Sequence, residues 1–194
     1  MAKSECPVTP GVRFLRERRI DFVPHLYKYQ EHGGTKVGAA ELDLPEHVLV
    51  KTLVMETDRH KPLLVLMHGD CEVSTRKLAR LMGVKSVSPC DERTAARITG
   101  YFFGGTSPFG TRTRLPVYVE RTIFDLPRVF INGGKRGLLV EIAPGALYEV
   151  LPITEVEVAI HSERGWSRMK RDKTAGETRV SADTVPDDPD SLER

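Results

Sequence analysis

Cysteine is scarce in this sequence, and the few cysteines are not arranged for a structural role. The 194 residues contain an odd number of them, namely Cys6, Cys71 and Cys90. Their wide spacing and the lack of a C-x-x-C pair argue against a disulfide framework and against a structural zinc site. A reducing compartment is therefore predicted.

Long apolar segments and an excess of one charge are also missing. No apolar run approaches the roughly 20 residues that span a bilayer, and the segment Met1–Pro10 lacks the apolar core of a signal peptide. The chain carries 29 Lys+Arg against 27 Asp+Glu, so any contact with nucleic acid must come from a local basic patch. We expect a cytoplasmic globular protein with no membrane partner.

Helix and strand patterns alternate irregularly along the first 160 residues. Thr9-Pro10, Ser74 and Asp91 are typical helix starts, and Gly83 and Gly100 are typical helix ends. Helices are predicted at about residues 9–19, 36–42, 74–83, 91–100 and 144–151, and strands at 48–56, 63–68, 84–87, 117–121, 128–132, 137–143 and 153–160. Because regular β-α-β alternation is missing, the predicted fold class is α+β around a curved sheet.

The composition changes near residue 160. Beyond His161 few apolar residues remain, and the segment is basic at its start and acidic at its end. Such a segment cannot bury enough apolar area to offset its loss of conformational entropy. We therefore expect one domain over residues 1–160 and a polar, disordered tail over residues 161–194.

Lys51 lies in a segment where a charged side chain is unexpected. The surrounding run, residues 48–55, is otherwise apolar except for Thr52. Strand alternation places Lys51 on the face shared with Leu49 and Leu53. Lysine is almost never buried without a partner, and desolvation lowers its pKa. The pattern leaves two interpretations open: a lysine held for an electrostatic role, or an edge-strand lysine whose ammonium reaches water.

The segment Thr99–Gly110 combines four glycines with aromatic and hydroxyl side chains. Glycine lets backbone N–H groups approach a ligand, and successive N–H groups can bind an anion. Such donors would stabilise the oxyanion of ester hydrolysis, where the loss of one donor costs about 3 kcal/mol of barrier. The segment matches neither the P-loop order nor G-x-G-x-x-G. The alternative is a tight turn packed under Phe102 and Phe103.

A second glycine-rich segment, residues 132–137, reads N-G-G-K-R-G. Its composition is typical of a hairpin turn with positive φ at the glycines. Lys135 and Arg136 would project from that turn and could contact phosphate. The alternative is a basic pair on an ordinary solvated face.

Other candidate residues have less specific patterns. His68 and Cys71 have the spacing H-x-x-C, which would suit a Cys–His nucleophile pair, but no third orienting group is evident. The six histidines are scattered along the sequence, so no metal site is predicted. Tyr27 could stack on an adenine base or pack in the core.

In order along the chain, these segments resemble the YbaK family of bacterial aminoacyl-tRNA deacylases, which are relatives of the editing domain inserted in prolyl-tRNA synthetases. The resemblance runs from about Thr9 to Leu151. The motifs that carry it are Thr9-Pro10, His25-Leu26-Tyr27, Val50–Leu53, Thr99–Tyr101, Gly104–Pro108 with Gly110, Arg114–Pro116 and Gly133–Leu138. Each motif alone has little specificity, whereas the ordered set is specific.

The resemblance implies a curved, barrel-like mixed β-sheet flanked by helices, no cofactor, and hydrolysis in trans of mischarged tRNA, most often tRNA(Pro) carrying cysteine or alanine. Lys51 matches the family's essential lysine, Tyr27 an active-site tyrosine and Gly104 a glycine of the substrate loop. The expected substrate-binding residues are Tyr27, Gly104, Gly105, Thr106, Ser107, Pro108, Gly133, Gly134, Lys135 and Arg136. Aminoacyl-tRNA is the expected partner, and prolyl-tRNA synthetase is a candidate second partner.

One position departs from the YbaK pattern. Leu139 stands where that branch carries an aspartate, whereas Glu141, on the same strand face, fits the pattern. The departure leaves the aminoacyl specificity open, and the attacking group could be water or the substrate's own cysteine thiol. Two other functions compete with deacylation: a non-catalytic module that binds tRNA or a nucleotide, and a thiol hydrolase that uses Cys71.

Overall fold

Five α-helices lie among the described residues, and three of them begin at capping side chains. The computed structural model describes residues 6–31 and 33–161. The helices in this part of the chain are α1 (Pro10–Glu17), α2 (Gly34–Glu41), α3 (Thr75–Met82), α4 (Glu92–Thr99) and α5 (Ala146–Val150). All five predicted helices are present, with ends that differ from the predictions by up to two residues.

Side-chain caps fix the starts of three of these helices. Thr9 Oγ1 accepts a hydrogen bond from the backbone N–H of Val12 at 3.0 Å. The side chains of Ser74 and Asp91 cap α3 and α4 in the same way. α3 ends at Gly83 and α4 ends at Gly100, where φ is 66° and 80°. Glycine adopts this left-handed conformation without a Cβ clash. The predicted caps are confirmed.

The strands form one large mixed sheet and one small sheet. They are β1 (Val23–Leu26), β2 (Leu49–Thr57), β3 (Pro62–His68), β4 (Cys71–Val73), β5 (Val87–Pro89), β6 (Val117–Glu120), β7 (Val129–Asn132), β8 (Leu138–Ile142), β9 (Ile153–Val156) and β10 (Ala159–His161). The large sheet has the order β1-β8-β7-β2-β3-β6-β9, with β5 also paired to β2, and β4 pairs with β10. β7 runs parallel to β2, and β6 runs parallel to β3 and β9. The predicted α+β fold class is confirmed.

Two strand predictions are wrong in part. The strand expected at residues 84–87 begins only at Val87 and continues to Pro89, along the end of β2. The strand expected over residues 153–160 is interrupted, and its halves belong to different sheets. The buried Glu120 carboxylate accepts hydrogen bonds from the N–H groups of Val158 and Ala159, both at 2.8 Å. These backbone donors therefore bind a side chain at the point where the two sheets separate.

The core is divided by the large sheet. Alternate residues of β2 face different clusters, because strand side chains point to opposite faces: Val50 packs in one cluster and Met55 in another. A third, smaller cluster contains the buried residues Ala39, Leu49, Phe130 and Leu139. It joins α2 to β2, β7 and β8, and its strand residues lie on the same face as Lys51.

No helix within the described residues is long and apolar enough to cross a membrane. His161, the first residue of the predicted tail, lies in β10. Residues 162–194, the rest of that predicted tail, lie outside the described residues.

Candidate active site

Lys51 lies in the middle of the large sheet. Its strand, β2, is paired with β3 on one side and with β7 on the other, so the edge-strand interpretation is wrong. The side chain is half-buried, and Nζ donates a hydrogen bond to the carbonyl oxygen of Cys71 at 2.5 Å. Burial lowers the pKa of the Lys51 ammonium, while the carboxylate of Glu46 acts in the opposite direction. The fold therefore holds a partly desolvated cation in a defined position.

A row of side chains crosses the sheet next to Lys51. The parallel register pairs Val50 with Ile131, and Lys51 and Asn132 are the residues that follow this pair on their strands. Asn132 pairs with Leu139, and Leu139 pairs with His25. Cross-strand partners share a face of the sheet, so Lys51, Asn132, Leu139 and His25 face the same side.

Asn132 connects this row to both glycine-rich segments. Its side-chain oxygen accepts hydrogen bonds from the N–H groups of Gly134 at 2.8 Å and Lys135 at 3.2 Å. Its Nδ2 donates to the carbonyl oxygen of Gly104 at 3.3 Å. From the sequence, Asn132 is predicted only as part of a turn. Its position before Gly-Gly was a signal for the turn, but its contact with the distant loop is a tertiary feature.

The glycine loop, residues 100–110, is packed against the start of α1. A Cβ at Gly110 would lie 2.6 Å from the carbonyl oxygen of Pro10, so glycine is required there. The hydroxyl of Tyr101 donates to the carbonyl oxygen of Phe109 at 2.5 Å. Thr9 Oγ1 donates to the carbonyl oxygen of Gly133, which ties the same helix start to the second glycine-rich segment. These contacts bring Thr9-Pro10 and the two glycine-rich segments together in the folded chain.

The predicted substrate residues of the loop differ in accessibility. Gly104 is exposed and Thr106 is half-buried, whereas Gly105 and Pro108 are buried. Ser107 is 0% exposed, and its Oγ accepts from the N–H of Phe109 at 3.2 Å. The N–H of Gly105 donates to the carbonyl oxygen of Phe102 at 2.9 Å, so it does not point to a substrate here. Within the segment Gly104–Pro108, Gly104 and Thr106 are therefore the residues most accessible to a substrate.

Phe102 and Phe103, the two adjacent phenylalanines of this loop, do not pack beneath it. Phe102 is 80% exposed and Phe103 is 59% exposed, whereas Tyr101 and Phe109 are buried. The interpretation of a turn packed under Phe102 and Phe103 is therefore wrong. The aromatic residues that pack inside the turn are Tyr101 and Phe109.

Residues 133–137 form the predicted hairpin turn between β7 and β8. The glycines at its ends have specific roles: a Cβ at Gly133 would lie 2.9 Å from the side chain of Leu138, and Gly137 has a φ of 77°. Gly134 is half-buried, while Lys135 and Arg136 are exposed. Arg136 also supports the glycine loop, because its Nε donates to the carbonyl oxygen of Phe103 at 2.9 Å.

Tyr27 lies against the small cluster on the Lys51 face. Its side chain is half-buried and packs with residues of that cluster, which includes Leu49. Its backbone N–H donates to the carbonyl oxygen of Gly137 at 3.0 Å. Burial raises the pKa of the Tyr27 hydroxyl, and Tyr29 acts in the same direction. Much of the Tyr27 ring therefore packs in the core. Its predicted role in substrate binding stays a prediction.

Leu139 fills the position of the family aspartate with an apolar, 6% exposed side chain. It packs with Leu49 and Phe130 in the small cluster. Glu141, two residues along the strand, accepts from His25 Nε2 at 2.7 Å and from Arg128 at 2.9 Å. Its carboxylate is therefore part of an ion-paired group at the far end of the same face.

Three of the six scattered histidines, His47, His68 and His161, converge in the folded chain. The rings of His47 and His68 stack with centroids 3.8 Å apart, and His47 Nδ1 lies 2.9 Å from the carboxylate of Asp70. Cys71 Sγ lies 3.3 Å from His161 Nδ1. Burial, followed by the negative charge of Asp70, raises the pKa of the Cys71 thiol to about 12. At neutral pH the thiol is therefore protonated, which argues against a Cys71 nucleophile.

Part of this cluster has donor types that suit a metal ion. Ligand atoms of His47, Asp70 and Cys71 all lie within 4.8 Å of one another. The wide spacing of the histidines in the sequence therefore does not exclude a metal site in the folded chain. Hydrogen bonds from His47 and from the Cys71 thiol to Asp70 also account for the arrangement without an ion.

Two surface pockets lie near the glycine loop. The larger one, about 580 Å³, is lined by Pro108, Gly110 and Arg114 among others. The smaller one, about 360 Å³, is lined by Phe102, Gly105, Gly134, Lys135 and Arg136. The smaller pocket is the better candidate for substrate binding, since four of its five lining residues were predicted from the sequence to bind substrate.

Several known proteins are similar in sequence to this chain. Residues 34–150 match the family described as the aminoacyl-tRNA editing domain. A candidate Cys-tRNA(Pro)/Cys-tRNA(Cys) deacylase of Enterococcus faecalis, EbsC, is 26% identical over 72% of this chain and 85% of its own length. A proline–tRNA ligase of Streptococcus equi subsp. zooepidemicus is 32% identical over 51% of this chain, which is only 16% of the ligase.

A solved structure shares the fold. It is a candidate trans-editing enzyme for prolyl-tRNA synthetase, with a TM-score of 0.68 and 22% identity, over 79% of this chain and 99% of that one. The family match covers more than half of the sequence. The chain therefore belongs to the aminoacyl-tRNA editing domain family, which confirms the predicted family and the predicted class of enzyme, an ester hydrolase that deacylates aminoacyl-tRNA.

Proposed function

We propose that this protein acts in trans to hydrolyse the ester bond of mischarged tRNA, with Cys-tRNA(Pro) or a tRNA carrying another small amino acid as substrate. The similarity to EbsC supports cysteine as the aminoacyl group, since that relative is named for Cys-tRNA(Pro) and Cys-tRNA(Cys). The similarity to a proline–tRNA ligase supports tRNA(Pro), and it makes prolyl-tRNA synthetase a candidate partner.

The shared sheet face of Lys51 and Asn132, together with the hydrogen bond from Asn132 to Gly104, is the observation that carries the proposal. Lys51 and Asn132 follow directly after the paired residues Val50 and Ile131, and the Asn132 amide donates to the carbonyl oxygen of Gly104. The fold therefore brings a lysine and the anchor of an exposed loop glycine, 53 positions apart in sequence, to one face of the sheet. An ester bound over this face would lie between the cation and the loop.

Lys51 would supply electrostatic stabilisation. Ester hydrolysis places negative charge on the former carbonyl oxygen, and a fixed cation in a partly water-excluded site stabilises that charge. The hydrogen bond from Nζ to the Cys71 carbonyl holds the ammonium in place before substrate binds. Little reorganisation is then needed when the charge develops.

The attacking group would come from outside the protein. The Cys71 thiol has a pKa of about 12, and the Ser107 hydroxyl is fully buried in its turn. Neither side chain suits nucleophilic attack on a bound ester. Water or the thiol of a cysteinyl substrate would then attack, while the protein positions the ester.

A panel of purified aminoacyl-tRNAs tests this function. We expect faster ester loss from Cys-tRNA(Pro) or Ala-tRNA(Pro) than from Pro-tRNA(Pro), measured by release of the radiolabelled amino acid. Comparing Cys-tRNA(Pro) with Ser-tRNA(Pro), which replaces sulfur by oxygen, separates attack by the substrate thiol from attack by water. Tight binding of every mischarged tRNA without faster ester loss would instead support the non-catalytic binding module.

A further inference from the structure

The glycine loop exposes two adjacent phenylalanines that the proposed chemistry does not use. The chain has seven phenylalanines, all within the described residues. Phe102 and Phe103 are exposed, at 80% and 59%, whereas the other five are buried or half-buried. Contiguous exposed apolar side chains commonly mark a binding surface. These two lie on the loop that bears Gly104, next to the proposed ester position.

The backbone beneath these rings is held in place. The carbonyl oxygen of Phe102 accepts from the N–H of Gly105, and that of Phe103 accepts from Arg136 Nε, both at 2.9 Å. The next carbonyl, that of Gly104, accepts from Asn132. Since three consecutive carbonyl groups are bound, the two rings project from a fixed segment. A surface prepared in this way loses little conformational entropy when a ligand binds.

Phe102 shares a surface pocket with two basic residues. The pocket of about 360 Å³ is lined by Phe102, Gly105, Gly134, Lys135 and Arg136. Lys135 and Arg136 are exposed. An aromatic ring next to positive side chains is the combination that binds single-stranded nucleic acid, because a base stacks on the ring and its phosphate meets the cations. An apolar protein partner would not require the two cations.

We propose that Phe102 is a stacking platform for an unpaired base of the tRNA 3′ end, with Lys135 and Arg136 binding the adjoining phosphates. This inference rests on the proposed deacylase function, because the aminoacyl ester is carried by that unpaired end. The platform adjoins Gly104, so a stacked base would place the ester toward Asn132 and Lys51. Phe102 would therefore act as a positioning residue, since it binds the substrate beside the reacting bond.

Variants of Phe102 in the full chain test the platform. Phe102→Ala removes the ring, Phe102→Leu keeps an apolar side chain without an aromatic face, and Phe102→Trp restores stacking. Leu81→Ala is the matched control, because Leu81 is 62% exposed on α3 and outside the pocket. We expect Phe102→Ala and Phe102→Leu to raise KM for the aminoacyl-tRNA by about tenfold, the size of one lost base stack. kcat should change by less than about twofold.

A spectroscopic probe reports stacking directly. A short single-stranded RNA that ends in 2-aminopurine loses fluorescence when that base stacks on an aromatic ring. Wild type and Phe102→Trp should quench this probe, while Phe102→Ala and Phe102→Leu should quench it far less. The four variants should unfold at about the wild-type temperature, since both Phe102 and Leu81 are largely exposed.

The outcomes separate the platform from the deacylase function. If wild type hydrolyses the ester but Phe102→Ala keeps the wild-type KM, the platform is wrong and the function stands. If no aminoacyl-tRNA is hydrolysed but quenching still depends on the Phe102 ring, the platform is supported and the function fails. Phe102-dependent binding to vesicles of phosphatidylserine, with no quenching of the RNA probe, would overturn the platform in favour of a membrane surface.

Discussion

The ammonium group of Lys51 donates a hydrogen bond to the backbone carbonyl of Cys71, with Nζ and the oxygen 2.5 Å apart. This contact joins the middle of β2 to the first residue of β4. Because the acceptor is a backbone atom, the position of the lysine depends on the fold and not on the identity of the Cys71 side chain. The two residues can therefore be tested separately.

Removing the Lys51 cation should abolish deacylation and leave the fold intact. Lys51→Ala and Lys51→Met both remove the charge, and Lys51→Met keeps most of the side-chain volume. We expect kcat/KM to fall by about 100-fold or more, as for the loss of a group that stabilises an oxyanion. The measurement is ester loss from mischarged tRNA, with unfolding temperature as the check on folding. Lys77→Met, at an exposed position on α3, is the control, and full turnover by Lys51→Met would exclude Lys51 from the mechanism.

Replacing the Cys71 thiol should have little effect on turnover. The pKa of this thiol is about 12, chiefly because the side chain is buried and then because of Asp70, so almost none is ionised at neutral pH. Cys71→Ser preserves the carbonyl that binds Lys51, and we expect kcat/KM within about threefold of wild type. A thiol hydrolase would lose all activity in Cys71→Ser, and that result with an intact fold would contradict our assignment.

A methyl group at Gly104 should disturb the glycine loop. Gly104 has a φ of 78°, and a Cβ there would lie 2.7 Å from the Tyr29 hydroxyl oxygen. Gly104→Ala should therefore shift the loop and lower kcat/KM by about tenfold to 100-fold, since small displacements near the reacting bond have large effects. The strained backbone should also lower the free energy of unfolding by about 1 kcal/mol.

Gly145→Ala is the matched control for Gly104→Ala. Gly145 has a φ of −57°, and a Cβ there would meet nothing within 4 Å. Kinetics at saturating and limiting tRNA, together with urea unfolding, should show wild-type behaviour for this variant. Equal losses of activity in both variants would show that the effect of Gly104→Ala is not specific to the glycine loop.

His68 should make the folded protein less stable as the pH falls. It is 0% exposed, and burial, followed by the charge of His47, lowers its pKa from 6.5 to about 4. The unfolded chain then binds the proton more tightly than the folded chain. Stability is therefore fully present above about pH 6.5 and falls as the pH drops toward 4, by about 3 kcal/mol for a shift of this size.

Urea unfolding between pH 7 and pH 4 measures this effect. In His68→Gln the fall in unfolding free energy should be smaller, because the titrating group is gone. His60→Gln, where the side chain is 85% exposed, should follow the wild-type profile. An unchanged pH dependence in His68→Gln would mean that other groups cause the acid destabilisation.

Features that depend on a few neighbouring residues were predictable from the sequence. Caps at Thr9, Ser74 and Asp91 specify helix starts through hydrogen bonds that span three residues. The turn over residues 133–137 follows from its glycines. The interrupted strand near Val158 was not predictable, because the carboxylate that binds its backbone comes from Glu120, 38 residues earlier.

The candidate site, too, could be predicted from the sequence only in part. Motif order selected Lys51, Gly104 and the basic turn, but it contained no information about which atoms meet. Asn132 became important only because the sheet register sets it on the same face as Lys51 and because its amide reaches the Gly104 carbonyl.

The α+β class, the capped helices, the hairpin and the family could be predicted without coordinates, because they depend on local composition and on the order of motifs. The fold was needed to show that Lys51 is central and bound to Cys71, that His47 and His68 stack, and that Phe102 faces solvent. These are contacts between residues distant in sequence. Strand pairing and burial across the sheet determine these contacts. No local sequence pattern predicts which strands pair or which side chains become buried.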